Sequence, residues 1–270
     1  VSNVINMEYM FYGTDDLSDS NKCAIHTSFN SNENWPYVWE SSCPGWVFQP
    51  ENRDELKAAV DEWIANSTDA NSTYGEINTW DTSLIANMSE LFFDNRTFND
   101  DISDWDVSNV TTMYRMFCYA TNFNQDISGW DVSSVTNMGW MFVGAENFNQ
   151  DIGGWDVSSV ANMYRMFTSA HSFNQDIGGW DVSSVTTMEY MFTSAYTFNG
   201  DISNWSVSSV SDMRYMFYKA YNFNQDISNW DVSNVINMEY MFYGTDDLSD
   251  SNKCAIHTSF NSNENWPYVW

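Results

Sequence analysis

Tryptophan returns at a fixed 25-residue step, at Trp80, Trp105, Trp130, Trp155, Trp180, Trp205 and Trp230. Other apolar columns keep the same step. Ile102 to Ile227, Met113 to Met238 and Phe117 to Phe242 each recur in register with it. A period between about 20 and 50 residues is the signature of a stacked architecture, in which each short unit buries its apolar face only against its neighbours. A compact fold with a single unrepeated core is therefore excluded for this stretch.

A second repeat is nested over the first. Residues 1–39 recur without change as residues 232–270, an offset of 231. Divergence would not leave so long a segment identical, so three origins remain open. The natural chain is a tandem array of near-identical 231-residue units, or the sequence overlaps itself because it belongs to a repeating fibre, or cloning duplicated the segment. The opening Val1-Ser2-Asn3-Val4 reads as the inside of a repeat.

These repeats divide the chain into four parts. Residues 1–39 read as the end of a preceding unit, 40–79 as an N-terminal cap and loop, 80–245 as about seven coils, and 246–270 as a closing segment. Asn52 to Ile64 carries Leu56, Val60, Trp63 and Ile64 at helical spacing behind a capping Asn52 or Asp54, and predicts a helix that covers the solenoid end. A Ser/Thr/Asn/Gly-rich loop, 66–79, follows.

Within one coil, Asp126 to Ala145, the residues Ile127, Trp130 and Val132 predict a short strand. Val135, Met138, Met141, Phe142 and Ala145 take helical spacing, with Ser133, Ser134 or Thr136 as its cap. The expected fold class is α/β: a leucine-rich-repeat-like solenoid of 25-residue strand–turn–helix coils with helical caps and a parallel sheet. The Trp ladder reads either as a sugar-binding platform or as core stacking. The shared regularity of Ile, Met and Phe favours the core. Asp ladders (Asp101 to Asp226, and Asp106, Asp131, Asp156, Asp181 and Asp231) read as turn carboxylates accepting backbone N–H groups, or as calcium ligands. Asn99 to Asn224 predict a hydrogen-bonded amide ladder.

The coils resemble the BspA-like leucine-rich-repeat surface proteins, whose repeat is of the FNQDISGWDVSSVTNM type. Phe123-Asn124-Gln125-Asp126-Ile127-Ser128-Gly129-Trp130-Asp131-Val132-Ser133-Ser134-Val135-Thr136-Asn137-Met138 and its copies carry the resemblance. The flanks around Trp63 and Asn265-Trp266-Pro267-Tyr268 are similar too. The resemblance implies a surface or secreted location, a leucine-rich-repeat-like solenoid, and roles in adhesion or extracellular architecture.

Charge narrows the partners. With 9 Lys and Arg against 37 Asp and Glu, the net charge of −28 repels nucleic acid and anionic membranes. No apolar run approaches the ~18 residues that crossing a bilayer requires, so no membrane span is expected. Hydrophobic residues make up 43% of the chain, enough to rule out disorder by composition. The expected partners are neighbouring copies of the same unit, with glycans or host and matrix proteins as further candidates.

Six Asn-X-Ser/Thr sequons mark candidate N-linked glycan sites: Asn66, Asn71, Asn87, Asn95, Asn109 and Asn204. Asn66 and Asn71 are favoured because the sequence places them in a loop, whereas Asn109 and Asn204 fall in coils expected to be tightly packed. Cys23 and Cys43 flank the first closing segment and are expected to form a disulfide between one unit's end and the next unit's start. Cys254 repeats Cys23, and Cys118 reads as a buried apolar residue. His26 and His257 are one position repeated, His171 stands alone, and carboxylates that recur in every coil do not define a unique catalytic centre. The chain is expected not to be an enzyme and to need no cofactor. Its expected role is an extracellular glycosylated fibril or surface array, with an adhesin or ligand-binding module as the alternative. The varied pairs Tyr114-Arg115, Gly139-Trp140 and Arg214-Tyr215 are the sequence's one candidate for a recognition surface.

Overall fold

The computed structural model describes residues 4–14, 16–37, 39, 43 and 45–270. Residues 1–3 of the first copy, and positions 40–42 and 44 of the expected cap, lie outside the described residues. Among the described residues the helices are α1 (Asp19–Phe29), α2 (Arg53–Ala65), α3 (Ser67–Tyr74) and α4 (Asp250–Phe260). All lie outside the coils. Between α3 and α4 the chain winds as a solenoid whose coils are joined by one parallel bridge each, running from Asn87 through Thr112, Asn137, Asn162, Thr187 and Asp212 to Asn237.

The coil itself is neither strand nor helix, which corrects the strand–turn–helix expectation. In 123–148, Trp130 N donates to Ile127 O and Val135 N to Val132 O, closing two tight turns where a strand was expected. Turns then run on without a helix. Met141, Val143 and Ala145 donate to the carbonyls three positions back, while Met138, Trp140, Phe142 and Gly144 donate forward to Asn162, Tyr164, Met166 and Thr168 of the next coil. Gly139 N bonds Asn137 Oδ1 at 3.0 Å. Every amide from 138 to 145 is thus satisfied, half within the coil and half between coils. Apolar side chains three and four apart share a face in such turns as they do in a helix, so the spacing alone did not separate the two.

The turns depend on left-handed backbone. Trp140 has φ 62° and Gly144 φ 66°, each at the third turn position, which a type II turn reserves for positive φ. The same two positions are left-handed in the other coils, occupied by Arg115 and Tyr119, Arg165 and Ser169, Tyr190 and Ser194, Tyr215 and Lys219. A non-glycine residue there costs about 1–2 kcal/mol. Replacing Ser169 (φ 57°) by glycine is therefore expected to stabilise the protein by up to about 1 kcal/mol once glycine's own entropy is subtracted, read as a rise in urea midpoint.

The core is a set of ring ladders. Phe117, Phe142, Phe167 and Phe192 stack in nearly parallel planes with centroids 5.6 Å apart. A second ladder runs through Phe123, Phe148 and Phe173 at 6.0 Å. From Trp105 to Trp230 each Trp of the 25-residue column is buried, and its indole N–H donates to the carbonyl of the Ile before its own coil's, as Trp155 does to Ile127 O at 3.1 Å and Trp180 to Ile152 O at 3.0 Å. These rings are core, not an exposed sugar platform.

Asparagine couples the coils in a different way from the expected side-chain amide ladder. Asn124 Oδ1 accepts the backbone N–H of Asn149 at 2.9 Å and the Gln150 amide at 3.1 Å. The caps end this ladder. Asp100 stands where most coils carry Gln and accepts the indole N–H of Trp63, on α2, at 2.7 Å. At the other end Asn252 of α4 donates to Asn224 O at 2.9 Å, and Ser249 N to Asn224 Oδ1.

α2 forms as its sequence predicts. Asn52 Oδ1 accepts Asp54 N and Glu55 N, and Leu56, Ala59, Val60 and Trp63 are buried. The expected loop 66–79 is instead α3 followed by a single 3-10 turn, Ile77–Thr79. Asn66 caps α3 through Thr68 N and Asp69 N, Ala70 is buried, and Gly75 at φ 75° stops it. Arg53 donates from Nη2 to Ser89 O at 2.7 Å, a carbonyl that no earlier coil covers. Opposite, Tyr268 OH accepts the Phe242 N–H at 2.7 Å.

Candidate interaction surface

The turn face is where residues change most from coil to coil. All five Lys and Arg of the coils (Arg96, Arg115, Arg165, Arg214 and Lys219) lie on it. Stacking organises them. The Arg115 guanidinium lies 4.7 Å from the Trp140 ring centroid; Arg165 lies 5.0 Å from Trp140 and 4.0 Å from Tyr190. Tyr190 stacks on Tyr215 at 4.7 Å, and Tyr215 on Tyr240 at 5.1 Å. One rail of cations and rings thus crosses six coils. A second, His171–Tyr196–Tyr221, has spacings of 4.4 and 5.0 Å. Tyr218 and Tyr243 form a third pair at 5.3 Å. The 25-residue step, applied to the varied columns as well as the constant ones, is the signal that points to these rails.

Carboxylates pair some of the cations. Arg115 Nη1 lies 3.3 Å from Glu90, and Arg214 Nε lies 2.7 Å from Glu189 and 3.3 Å from Asp212. Burial raises the Asp212 carboxyl above the ordinary aspartate value. Because the rings use their faces on one another, they offer edges and hydroxyls outward, with Tyr221, Tyr240 and Tyr243 exposed. Removing Arg165, held between two rings, is expected to cost about 1–2 kcal/mol in urea unfolding; Arg165→Lys recovers only part of that, since an ammonium cannot stack as a planar guanidinium does.

The Asp ladders lie elsewhere on the coil and vary less, with Ser206 standing where the other coils carry Asp. Asp126 Oδ1 accepts Ser128 N at 2.9 Å and Asp131 Oδ1 accepts Ser133 N at 3.1 Å, and these bonds lower both carboxyl pKa values, the Ser hydroxyls contributing most. Among the described residues no group of three or more His, Cys, Asp or Glu is arranged to hold a metal ion.

The sequons separate by what their Nδ2 does, the atom an N-linked sugar would occupy. Asn66 Nδ2 donates to Asp69 at 2.6 Å, Asn71 Nδ2 to Glu76, and Asn109 Nδ2 to Ser83 O at 2.8 Å. Asn66 and Asn71 therefore sit at a helix cap and in a helix rather than in a loop. Asn87, Asn109 and Asn204 are exposed and Asn95 half-buried, so the coil sequons are not packed away. Cys23 and Cys43 are joined as a disulfide with Cα atoms 4.7 Å apart. Cys118 is buried, and burial pushes its thiol up to about 11; Cys254 is free and exposed. No helix among the described residues is long and apolar enough to cross a membrane.

Fold and surface together define a capped repeat solenoid with one variable, aromatic face on which the coils' few cations are gathered among carboxylates. The chain belongs to the DUF285 family, described as Mycoplasma protein of unknown function, which matches residues 62–177 and again 151–255. No curated protein matches the sequence. A crystal structure of a T. pallidum leucine rich repeat protein (TpLRR) is similar at 10% identity with a TM-score of 0.30, over 67% of this chain and 79% of that one.

Proposed function

We propose that the chain is a non-catalytic structural protein whose 231-residue units repeat in tandem to build an extracellular, glycosylated fibril or surface array. The observation that carries this reading is the segment that occurs twice. Residues 1–39 and 232–270 are identical in sequence, and the described part of the first copy carries the same helix as the second. α1 and α4 share the same cap, Trp35 Nε1 meets His26 Nδ1 at 3.1 Å, and Trp266 Nε1 meets His257 Nδ1 at 3.0 Å. Two identical closing segments on either side of one solenoid are what a tandem array of such units would contain, and this supports the reading. The resemblance to BspA-like proteins supports a surface location, and the disulfide suits an oxidising compartment.

The test is the mass of the natural polypeptide, denatured and reduced, before and after enzymatic removal of N-glycans. A mass several times 31.2 kDa upholds the tandem array. A mass near one unit overturns it. A drop on deglycosylation upholds the glycan part alone.

The second reading is an adhesin, favoured by the rail from Arg115 to Tyr240. On that reading the turn face binds a protein or glycan partner, and substitutions at Tyr240 and Tyr243 weaken binding to host cells or matrix without changing stability.

A further inference from the structure

Tyrosine is concentrated on the turn face of the later coils. Four pairs stack ring on ring across successive coils: Tyr190–Tyr215 at 4.7 Å, Tyr196–Tyr221 at 5.0 Å, Tyr215–Tyr240 at 5.1 Å and Tyr218–Tyr243 at 5.3 Å. The members of each pair stand 25 residues apart in sequence. Cations divide these pairs into two kinds. The Arg165 guanidinium lies 4.0 Å from the Tyr190 ring centroid, and Lys219 Nζ lies 5.3 Å from that of Tyr218. Arg214 is turned to carboxylates instead, 2.7 Å from Glu189 and 3.3 Å from Asp212. Among the described residues no Lys or Arg lies over the rings of Tyr196, Tyr215, Tyr221 or Tyr240. In each of these two cation-free pairs one ring is half-buried, Tyr196 or Tyr215, and the other is open to solvent, Tyr221 at 37% or Tyr240 at 44%. Chain continuing beyond this position does not cover it. Tyr9, which is Tyr240's counterpart in the first copy, is 69% exposed with the rest of the chain following it.

We infer that Tyr196–Tyr221 and Tyr215–Tyr240 are sites of oxidative coupling, where a haem peroxidase supplied with hydrogen peroxide joins successive coils through dityrosine bonds. Each phenol gives up one electron and its proton. Two such electrons and two such protons reduce one hydrogen peroxide to two waters. The two phenoxyl radicals bond through the ring carbons next to their oxygens. Each ring then passes the hydrogen on that carbon to its own oxygen, which restores both aromatic rings and both phenols. The chain is lighter by two hydrogen atoms for each link. Two radicals must meet to couple, and stacking holds each ring already against its partner, so the encounter is intramolecular. A ring that has lost an electron is repelled by a cation over its face, where an intact ring is attracted. Arg165 and Lys219 thereby turn coupling away from Tyr190 and Tyr218. Each link joins two neighbouring coils covalently, where hydrogen bonds and side-chain packing otherwise hold them. The inference goes beyond the tandem array and does not rest on it, since all four residues lie in the solenoid of a single unit.

The experiment treats dilute full-length chain with a haem peroxidase and limiting hydrogen peroxide and isolates the monomer. Dityrosine is then read by its fluorescence and located by fragment-ion mass spectrometry of proteolytic peptides. The expected result is a monomer linked at Tyr215–Tyr240 and Tyr196–Tyr221, about tenfold or more in excess of links at Tyr190–Tyr215 and Tyr218–Tyr243. Tyr240→Phe is expected to remove the first link alone and Tyr221→Phe the second alone, with folding checked by circular dichroism. Dityrosine found only between chains overturns the inference. So does a monomer that stays free of dityrosine, and so do links spread evenly over the four stacked pairs. These three readings come from unmodified protein and stand even where a variant fails to fold.

Discussion

Ile256→Asp is expected to lower stability by about 4 kcal/mol or more, while the same change at Ile25 costs under about 1 kcal/mol. The two residues occupy one position of one sequence. Ile256 is fully buried in the continuous core beside Leu248 and Phe260, whereas Ile25 is only half-buried and stands outside that core. A carboxylate at 256 is desolvated without a partner and strips the cover from the last coil. A carboxylate at 25 meets water. Urea unfolding of the two single variants is an internal comparison, with propensity, capping and unfolded state held constant by identity. Equal effects would mean that the closing segment is stabilised within itself and does not act as a cap.

Trp155→Ala, in the middle of the stack, is expected to cost about 3–5 kcal/mol. The ring is buried and its N–H satisfies Ile127 O, so truncation leaves both a cavity and an orphaned carbonyl. Trp155→Phe retains most of the volume and loses the bond, for about 1–3 kcal/mol. In a solenoid, stability is close to a sum of neighbour interfaces, so the alanine variant is also expected to unfold in two steps as the coils on either side uncouple. A single transition shifted by less than about 1 kcal/mol would show that the ladder repacks around the gap.

The period, the ladders and the α2 cap were legible because burial against neighbours imposes the same side chain at the same phase of every coil. The path of the backbone was not. Val135, Met138, Met141 and Phe142 fit a helix and a run of tight turns equally well, and the difference lies in where half of the amides point. Left-handed residues normally announce themselves as Gly or Asn; here Arg115, Tyr119, Trp140 and Lys219 occupy those positions. α3 reads as a loop from its Ser/Thr/Asn content, since its hold comes from the Asn66 cap and one buried alanine. The turn face was half legible. The pairs Tyr114-Arg115, Gly139-Trp140 and Arg214-Tyr215 stand out as variable, but the stacking of Arg165 on Tyr190 needs coordinates, because the partners come from successive coils.

The forward hydrogen bonds of the turn ladder outnumber the backbone bonds between coils that run backward, such as Thr136 N to Thr111 O and Asn147 N to Thr121 O, and leave the solenoid a net electrical sense. Met138, Trp140, Phe142 and Gly144 all donate toward the C-terminus, so the ladder ends in bare amides on one side and bare carbonyls on the other. The molecule already answers both ends: the Arg53 guanidinium meets the carbonyl of Ser89, and the Tyr268 oxygen meets the amide of Phe242. Aligned peptide dipoles add as they do along a helix, placing partial positive charge at the amide end and partial negative charge at the carbonyl end. Amide end against carbonyl end attracts, whereas two like ends repel. In the filament proposed above, such units would meet amide end to carbonyl end, and that would give the filament a direction.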